Sequence, residues 1–591
     1  MLSEVTFLPL SSLSVRKKTD AFLAENGLRP APLDCFAAIL DDDEKIVAGG
    51  GLDGSVIKCV AVSAPARSEG ATNRLVSALL SEAQRRGHSC VQLFTKPSNE
   101  DIFRSLGFKT LASAPEAILM ETGGGLEKYL KYLEGLRRPG RNGVIVMNAN
   151  PFTLGHAYLV REAAALVDKL YVIPVREDRS RFPYEERLAM IRAGVASLGD
   201  RVVVAEGSAY SISAATFPTY FLKDLSEATE TQMLLDLDLF CSHIAPALGA
   251  DVRFAGSEPA SDPLTARYNA TMRRVLGEHG IGFTEIPRLK GSNGRFIRAS
   301  RVRELLDGGR FRDAAALTPE SSHPCLLADL AGRALRMELD APLKPGLVCP
   351  ASNGAHSDMD YALMRRGIAA IRPFFPKMAL ASGAEELRQL GLDAEKAMLA
   401  ATGGVNTHRG AIFSLGLVLN ASGRLAEKPY TELFIRKRVA ETARALFDNS
   451  LSDSDLQQTH GREAVRRYGV CGAREMALDG YKDILAFSVP YYAGIRREPF
   501  AVQKTLIFLI ANTDDTCLIH RAGYERAEKL RDEAAEVFGT VAHNGDDALT
   551  ESLLTALCRR FEAENASPGG AADMLSLTIF LDSITNNTTS N

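Results

Sequence analysis

The stretch NANPFTLGHAYLVREAAALV, Asn148 to Val167, sets turn-forming and polar residues between a short apolar run and a helical pattern. Upstream, GVIVMN (143–148) reads as a strand ending at Asn148; the chain then turns through Pro151, and a helix is expected to start near Gly155–His156. Leu159, Ala163, Leu166, Val167 and Leu170 mark the stripe expected to be buried. The helix mouth then lies at the carboxyl end of a strand, where open α/β sheets take ligands. Its free N–H groups and dipole favour phosphate. Gly155 lets a phosphate approach the backbone, and His156 adds a donor for charge developing on a triphosphate. A capping turn with a buried histidine would leave the same trace.

Around this stretch the chain has three textures. Between about 140 and 315, the apolar runs GVIVMN, LYVIPV, RVVVAEG, DVRFAGS and IGFTEIP alternate with helical stretches. Continuous apolarity implies strands buried on both faces, and the alternation implies a parallel sheet with right-handed crossovers. Residues 1–125 mix strand-like runs (KIVAGGGL, SVIKCVAV, SCVQLFTK) with the helix ATNRLVSALLSEAQRRG and a shorter one in NEDIFRSLGFKTL. Beyond 325 the β signal fades: YALMRRGIAAIRPFFPKMA, ELFIRKRVAETARALF, YERAEKLRDEAAEVFG and TESLLTALCRRFEAEN are amphipathic helices. Pro319 and Pro324 mark the junction, giving domains at 1–125, 126–318 and 325–591.

A net charge of −4 argues against a nucleic-acid partner. Nine cysteines without CxxC spacing fit reduced thiols rather than disulfides or zinc. The start lacks signal-peptide order, and the strongest apolar run, TLIFLIA at 505–511, is far short of the ~20 residues of a membrane helix. A cytoplasmic protein with no membrane partner is expected.

A second stretch, GRFIRASRVRELLDGG (294–309), opens another helix after the fifth strand. Ser300 can cap it while Arg298, Arg301 and Arg303 face an anion. The pair Thr153-Leu154-Gly155-His156 and Ile297 to Arg303 resembles the two turns of the nucleotidyltransferase superfamily, with Arg298 where a small hydroxyl residue is usual. With DLDLFCSHIAPALG, RFAGSEPASDPLTARYNATM and EIPRLKGSNGRFIRASRVRELL, the match over about 1–315 resembles the citrate lyase ligases. The resemblance implies an acetyl-adenylate made from ATP and acetate, then acetylation of the thiol on the citrate lyase acyl carrier. It implies His156 at the α-phosphate with Thr153 beside it, and nucleotide contacts at Asn148, Asn150 and Gly155. Ser300, Arg301 and Arg303 would hold the outer phosphates, with Mg²⁺ on the triphosphate. Glu258, Arg267, Tyr268 and Asn269 are further contact candidates, equally explained as helix-face and loop residues.

In the amino-terminal segment, ARSEGATNRLVSALL resembles the pyrophosphate loop of GNAT-type acetyltransferases at Arg67 and Gly70, with Thr72 in place of a small residue. This segment could hold the carrier's phosphopantetheine-like arm, or serve structure alone.

The helical part concentrates polar residues in glycine-bordered loops: Lys344, His356 and Asp358 in LKPGLVCPASNGAHSDMD, and Asn406, His408 and Arg409 in GVNTHRGAIFSLG. GAREMALDGY, ANTDDTCLIHRAG and SPGGAADML add Arg474, Asp515, Arg521 and Asp573. Each is explained by capping when taken alone. Together these strings resemble triphosphoribosyl-dephospho-CoA synthases, in which the ribose 2′-hydroxyl of dephospho-CoA attacks the anomeric carbon of ATP and expels adenine. The resemblance implies Asp358, Asp515 and Asp573 for metal or cation stabilisation and His356 or His408 for acid–base work. Lys344, Asn406, Arg409, Arg474 and Arg521 would bind phosphate or nucleotide. Two departures stand out: Glu475-Met476 after GAR, and Cys517 after Asp515-Thr516.

The expected architecture is therefore an α+β GNAT-like domain, an α/β parallel-sheet nucleotidyltransferase domain of Rossmann-like type, and an all-α domain. The expected function is two-step maturation of citrate lyase. An adenylyltransferase for a phosphorylated small molecule and a non-catalytic carrier-docking scaffold are the alternatives.

Overall fold

In the computed structural model, residues 3–64, 66, 70–177, 180–212, 217–222, 228–257, 263–423, 431–448 and 460–585 are described. Their strands form two sheets. The first contains β1 (Thr6–Leu8), β2 (Cys35–Leu40), β3 (Ile46–Asp53), β4 (Val56–Val62), β5 (Val91–Thr95), β6 (Lys109–Ala114) and β7 (Ala117–Thr122). Their order is β1-β2-β3-β4-β5-β7-β6, antiparallel except at β4–β5. Helix α1 (Ala71–Arg85) buries Leu75, Val76 and Leu79 against Ala37, Ile39 and Ala48 of the sheet, so its period-3.6 apolar stripe meets a period-2 face. Among the described residues, β4 and β5 pair at Val56↔Gln92 and Ile57↔Leu93 and no further. Past that point the facing edges are open to another partner.

The second sheet holds the five apolar runs as β8 (Asn142–Met147), β9 (Lys169–Pro174), β10 (Val202–Val204), β11 (Ala250–Gly256) and β12 (Gly282–Ile286). All pairings are parallel, in the order β10-β9-β8-β11-β12. The chain steps outward from β8 to β10, then returns to β11 on the other side of β8, so the order reverses between β8 and β11. Helices α2 (Leu154–Ala164), α3 (Tyr184–Val195), α4 (Ala228–Leu239) and α5 (Pro263–Glu278) provide the crossovers. In α2, Val160, Ala163 and Ala164 are buried, whereas Leu166 is exposed and Leu170 already belongs to β9. The expected stripe was drawn too long because α2 ends at Ala164.

Among the described residues, the remaining elements are helical, apart from two isolated bridges, Lys290–Phe296 and Cys349–Ser352. Helix α6 (Ala299–Asp307) has Arg298 at its N-cap position, with extended φ −127° and no side-chain cap. Ser300, expected as the cap, instead lies exposed in the first turn. Pro324 falls in the first turn of α7 (His323–Asp340), where its missing N–H leaves no bond unmade. The stretch expected as one helix from Tyr361 breaks: α8 (Tyr361–Ile371) gives way to a 3₁₀ turn at Arg372–Phe374, where Pro373 cannot donate. At the centre are α7, α9 (Arg409–Gly423) and α11 (Gly569–Thr585), each apolar and buried on nearly all faces. By contact density the chain divides into two units, residues 1–150 with 154–297, and residues 151–153 with 298–591.

Candidate functional sites

In the first unit, Asn148 and Asn150 follow β8, with Ala149 between them at φ 49°. Asn148 is exposed and its amide donates to Glu177 Oε1 at 3.3 Å, while Asn150 Oδ1 accepts from Phe182 N at 3.2 Å. Both strand ends are fixed by a residue the sequence reading missed. Arg187 of α3 is fully buried, and its guanidinium donates to the carbonyls of Asn148 (2.9 Å), Val175 (2.8 Å), Phe182 (3.0 Å) and Glu177 (2.5 Å). One planar fork thus gathers the loops after β8 and β9.

Gly155 and His156 occupy the first turn of α2, both half-buried. Desolvation pushes the His156 imidazole down to about 4, with the charge of Arg288 acting in the same direction. At neutral pH the ring is uncharged, with one N–H to offer. A cavity of about 290 Å³ opens at the reversal between β8 and β11, lined by Met147, Asn148, Asp236, Arg253, Gly256 and Tyr268 among others. Of the weaker candidates, Tyr268 donates to Asp236 Oδ2 at 3.4 Å and Asn269 is buried against Gly256 and Glu285. Arg267 is exposed in an ion pair with Glu230; Glu258 lies outside the described residues.

Within the second unit, Thr153 is buried, and the neighbouring Phe152 carbonyl accepts from Ser322 Oγ at 3.1 Å. Arg303 is half-buried on α6, and Arg301 is exposed in a 3.1 Å pair with Glu304.

The helical residues fall into two groups. Around the SPGG loop, His356 Nε2 meets Ser567 Oγ at 2.8 Å and its Nδ1 meets Arg521 Nη2 at 3.0 Å, with Asp358 Oδ1 at 3.7 Å. His356 therefore joins the loop before α8 to the helix α10 (Thr516–Ala522) that carries Arg521. Deeper lie Glu338, Lys344, His408 and Asp515, all buried, with Asp573 half-buried. Lys344 Nζ pairs with Glu338 Oε1 at 2.5 Å. His408 is pushed down to about 4 by burial and then by the charge of Lys344; its Nδ1 contacts Thr407 Oγ1 at 2.8 Å. Its buried Nε2 has no hydrogen-bond partner among the described residues.

Asp515 and Asp573 serve helix mouths. Asp515 Oδ1 accepts from Cys517 N and Leu518 N of its own helix, and its Oδ2 accepts from Ala571 N of α11 at 2.8 Å. Asp573 lies over the first turn of α9, where the Ala411 N–H steadies it. Burial, then the charges of Asp515 and Glu338, raise its carboxyl well above the usual range. Among the described residues, no three His, Cys, Asp or Glu side chains gather into a metal cage.

Other predicted residues are placed structurally. Asn406 Oδ1 caps α9 by accepting from Arg409 N at 3.1 Å, and the exposed Arg409 side chain pairs with Glu395. Arg474 lies over the Phe447 ring at 4.3 Å. Glu475, one of the two departures, reaches back to accept from the N-cap Gly472 N at 3.1 Å.

In the first sheet, Gly70 opens α1 with φ 67°, and Arg67 lies outside the described residues. The open edges between β4 and β5 are taken by the chain itself. Tyr220 Oη donates to Phe94 O of β5 at 3.3 Å, and the Phe217 ring meets Phe94 edge-on at 5.6 Å. Arg29 N donates to Tyr220 O at 3.0 Å, and Tyr220, Phe221 and Leu222 share one buried cluster with Cys59 and Ala61 of β4.

These elements define a fusion: a parallel α/β fold with its ligand crevice at a helix mouth, and a helical enclosure around buried carboxylates. Residues 142–326 match the family described as "Citrate lyase ligase C-terminal domain", and residues 325–591 match "ATP:dephospho-CoA triphosphoribosyl transferase". The chain is 41% identical over 312 residues to the citrate (pro-3S)-lyase ligase of Klebsiella pneumoniae, covering 51% of this chain and 90% of that protein. It is 42% identical over 307 residues to the Escherichia coli K12 counterpart, covering 50% and 86%. A "Probable 2-(5''-triphosphoribosyl)-3'-dephosphocoenzyme-A synthase" of Pseudomonas savastanoi is 37% identical over 290 residues, covering 46% of this chain and 96% of that protein. The chain belongs to the citrate lyase ligase family through its amino-terminal part and to the triphosphoribosyl-dephospho-CoA synthase family through its carboxy-terminal part. No helix among the described residues is long and apolar enough to cross a membrane.

Proposed function

We propose that this chain carries both reactions of its two families. In the first, acetate attacks the α-phosphorus of ATP, giving acetyl-adenylate and pyrophosphate; the carrier thiol then takes the acetyl group and AMP leaves. The observation that supports this reading is the uncharged His156 in the first turn of a helix at the carboxyl end of β8. A neutral imidazole there would present an N–H to the α-phosphate, and the dipole of α2 favours the same charge. Asn148, Asn150 and Gly155 would add nucleotide contacts along the same stretch; for Thr153, Ser300, Arg301 and Arg303 of the second unit, a phosphate-binding role rests on the family resemblance alone.

In the second reaction, the dephospho-CoA 2′-hydroxyl displaces adenine from ATP. Asp573, raised in pKa by its acidic neighbours, is suited to take the hydroxyl proton or to face the oxocarbenium-like carbon. His408 Nε2 and Lys344 line the same interior, and His356 with Arg521 sits at the SPGG loop to receive phosphate. Asp515 acts as a helix cap, because both its oxygens serve backbone donors. With no three-residue cage among the described residues, Mg²⁺ would arrive on the triphosphate, with Asp573 or Asp358 supplying one carboxylate. It would neutralise phosphate charge. Nine cysteines without CxxC spacing suit a reducing cytoplasm.

Incubating the full chain with ATP, acetate and thiol-bearing carrier, then with ATP and dephospho-CoA, tests both halves. Acetyl-carrier with AMP and pyrophosphate, and free adenine, are expected by mass. Transfer of AMP to a phosphorylated small molecule, with pyrophosphate released and no acetate needed, would overturn the first reaction; adenine release independent of dephospho-CoA would overturn the second.

A further inference from the structure

Arg253 stands in β11, between Val144 of β8 and Phe283 of β12 in register. A strand centre flanked on both sides is an expensive place for a guanidinium, and burial there requires compensating partners. Arg253 is only 4% exposed. The Phe240 ring covers its face at 4.4 Å, and Asp236 Oδ2 reaches its Nη2 at 3.5 Å. Asp236 is itself shared, accepting from Ile212 N at 3.0 Å and from Tyr268 Oη. Burial raises the Asp236 carboxyl, which weakens it as a counter-ion. The other arm, Nη1, is buried and has no acceptor among the described residues. Arg253 also lines the cavity at the β8–β11 reversal.

We infer that this cavity binds the acyl substrate as a short monocarboxylate, with the Arg253 guanidinium paired to the carboxylate. The inference rests on the ligase reading above and deepens it by assigning the acid a site. A carboxylate brings two coplanar oxygens to a planar fork, one of which satisfies Nη1. Met147 and Met272 supply apolar wall for a short alkyl group. Asn148 lines the cavity and follows β8 at its carboxyl end, the strand end after which α2 begins. A phosphate is the less suitable occupant, because the cavity offers one buried cation already half-matched by Asp236.

The experiment uses the full-length chain. Arg253→Gln and Arg253→Lys are assayed by acetate-dependent exchange of labelled pyrophosphate into ATP, with adenine release by the helical half as a folding control. Both variants are expected to raise the KM for acetate about tenfold or more while the KM for ATP stays within about twofold. An unchanged acetate KM, or an equal rise for ATP, overturns the assignment. Direct binding of ¹³C-acetate to the unmodified chain without ATP, followed by line broadening, does not depend on the variants folding. Displacement by propionate supports the site, and displacement by inorganic phosphate overturns it. A chain that binds ¹³C-acetate at Arg253 but exchanges pyrophosphate without any acid would unseat the ligase reading and leave the pocket standing.

Discussion

The Asp573 carboxylate rests against Gly410, and a methyl group at Gly410 would overlap Asp573 Oδ2. Two residues 163 positions apart in number are thus locked at one helix mouth, with Ala411 N–H as the tie. The string GVNTHRGAIFSLG contains this glycine for that reason. Gly410→Ala is expected to cut adenine release by about 10²-fold or more, the scale of losing one aimed electrostatic group. Acetate-dependent pyrophosphate exchange, measured on the same sample, should be unchanged.

Asp573 also predicts a pH signature. Its folded pKa lies above the unfolded value, so the folded state binds its proton first as pH falls. That group's contribution to stability therefore rises on acidification and is least favourable at neutral pH, where the charged form faces Asp515 and Glu338. Asp573→Asn keeps an acceptor for Ala411 and removes the charge. It should be more stable than the unsubstituted chain at pH 7, with the difference shrinking toward low pH. Thermal unfolding across pH 4–8 measures this, and adenine release should fall sharply in the same variant.

His156 and His408 act in the opposite sense. Both are pushed down to about 4, so the unfolded chain takes their protons first as pH falls. Each adds stability above the ordinary histidine range that is lost as pH drops from about 6.5 toward 4. For catalysis, pyrophosphate exchange should show no acid limb near pH 6.5 assignable to His156. His156→Ala should lower exchange by about 10²- to 10³-fold and leave adenine release intact.

Arg187→Met would leave four carbonyls of the β8 and β9 loops without their donor. Buried acceptors left unmade cost about 1–3 kcal/mol each, so a loss of roughly 3 kcal/mol or more is expected. Urea unfolding followed by a probe in the first unit, together with loss of pyrophosphate exchange, would register it.

Tyr220→Ala should open the seam between β4 and β5. The Cys59 thiol, buried there and pushed up to about 12, should become accessible to alkylation in the variant and stay inert otherwise. Truncating a buried aromatic also carries a stability loss of about 3–5 kcal/mol. Mass spectrometry of alkylated Cys59 distinguishes the two states.

Much of this architecture was legible in the residues. Five unbroken apolar runs placed five parallel strands, because strands covered on both faces need no alternation. The start of α2 beside Gly155-His156 was legible because the apolar run before it ends in a turn and a helical period follows. What escaped was chemistry set by distant partners. Arg187, in YEERLAMIRAG, reads as one more surface charge of an amphipathic helix; only the fold shows four carbonyls converging on it. Arg253 in DVRFAG looks like an interruption of a strand. Asp515 shows the converse: an acidic residue among phosphate-like motifs invites a metal, yet its oxygens serve two helix starts. Ser300 looked like a cap and yielded that position to Arg298, whose extended backbone ends the loop.

The aromatic insert at Phe217–Leu222 has a practical corollary. Tyr220 and the carbonyl it bonds are 126 residues apart, so the first sheet borrows part of its lining from beyond its own span. Cutting the chain near residue 125 would strip Phe94 and Cys59 of their cover and yield a sticky fragment rather than a free-standing module.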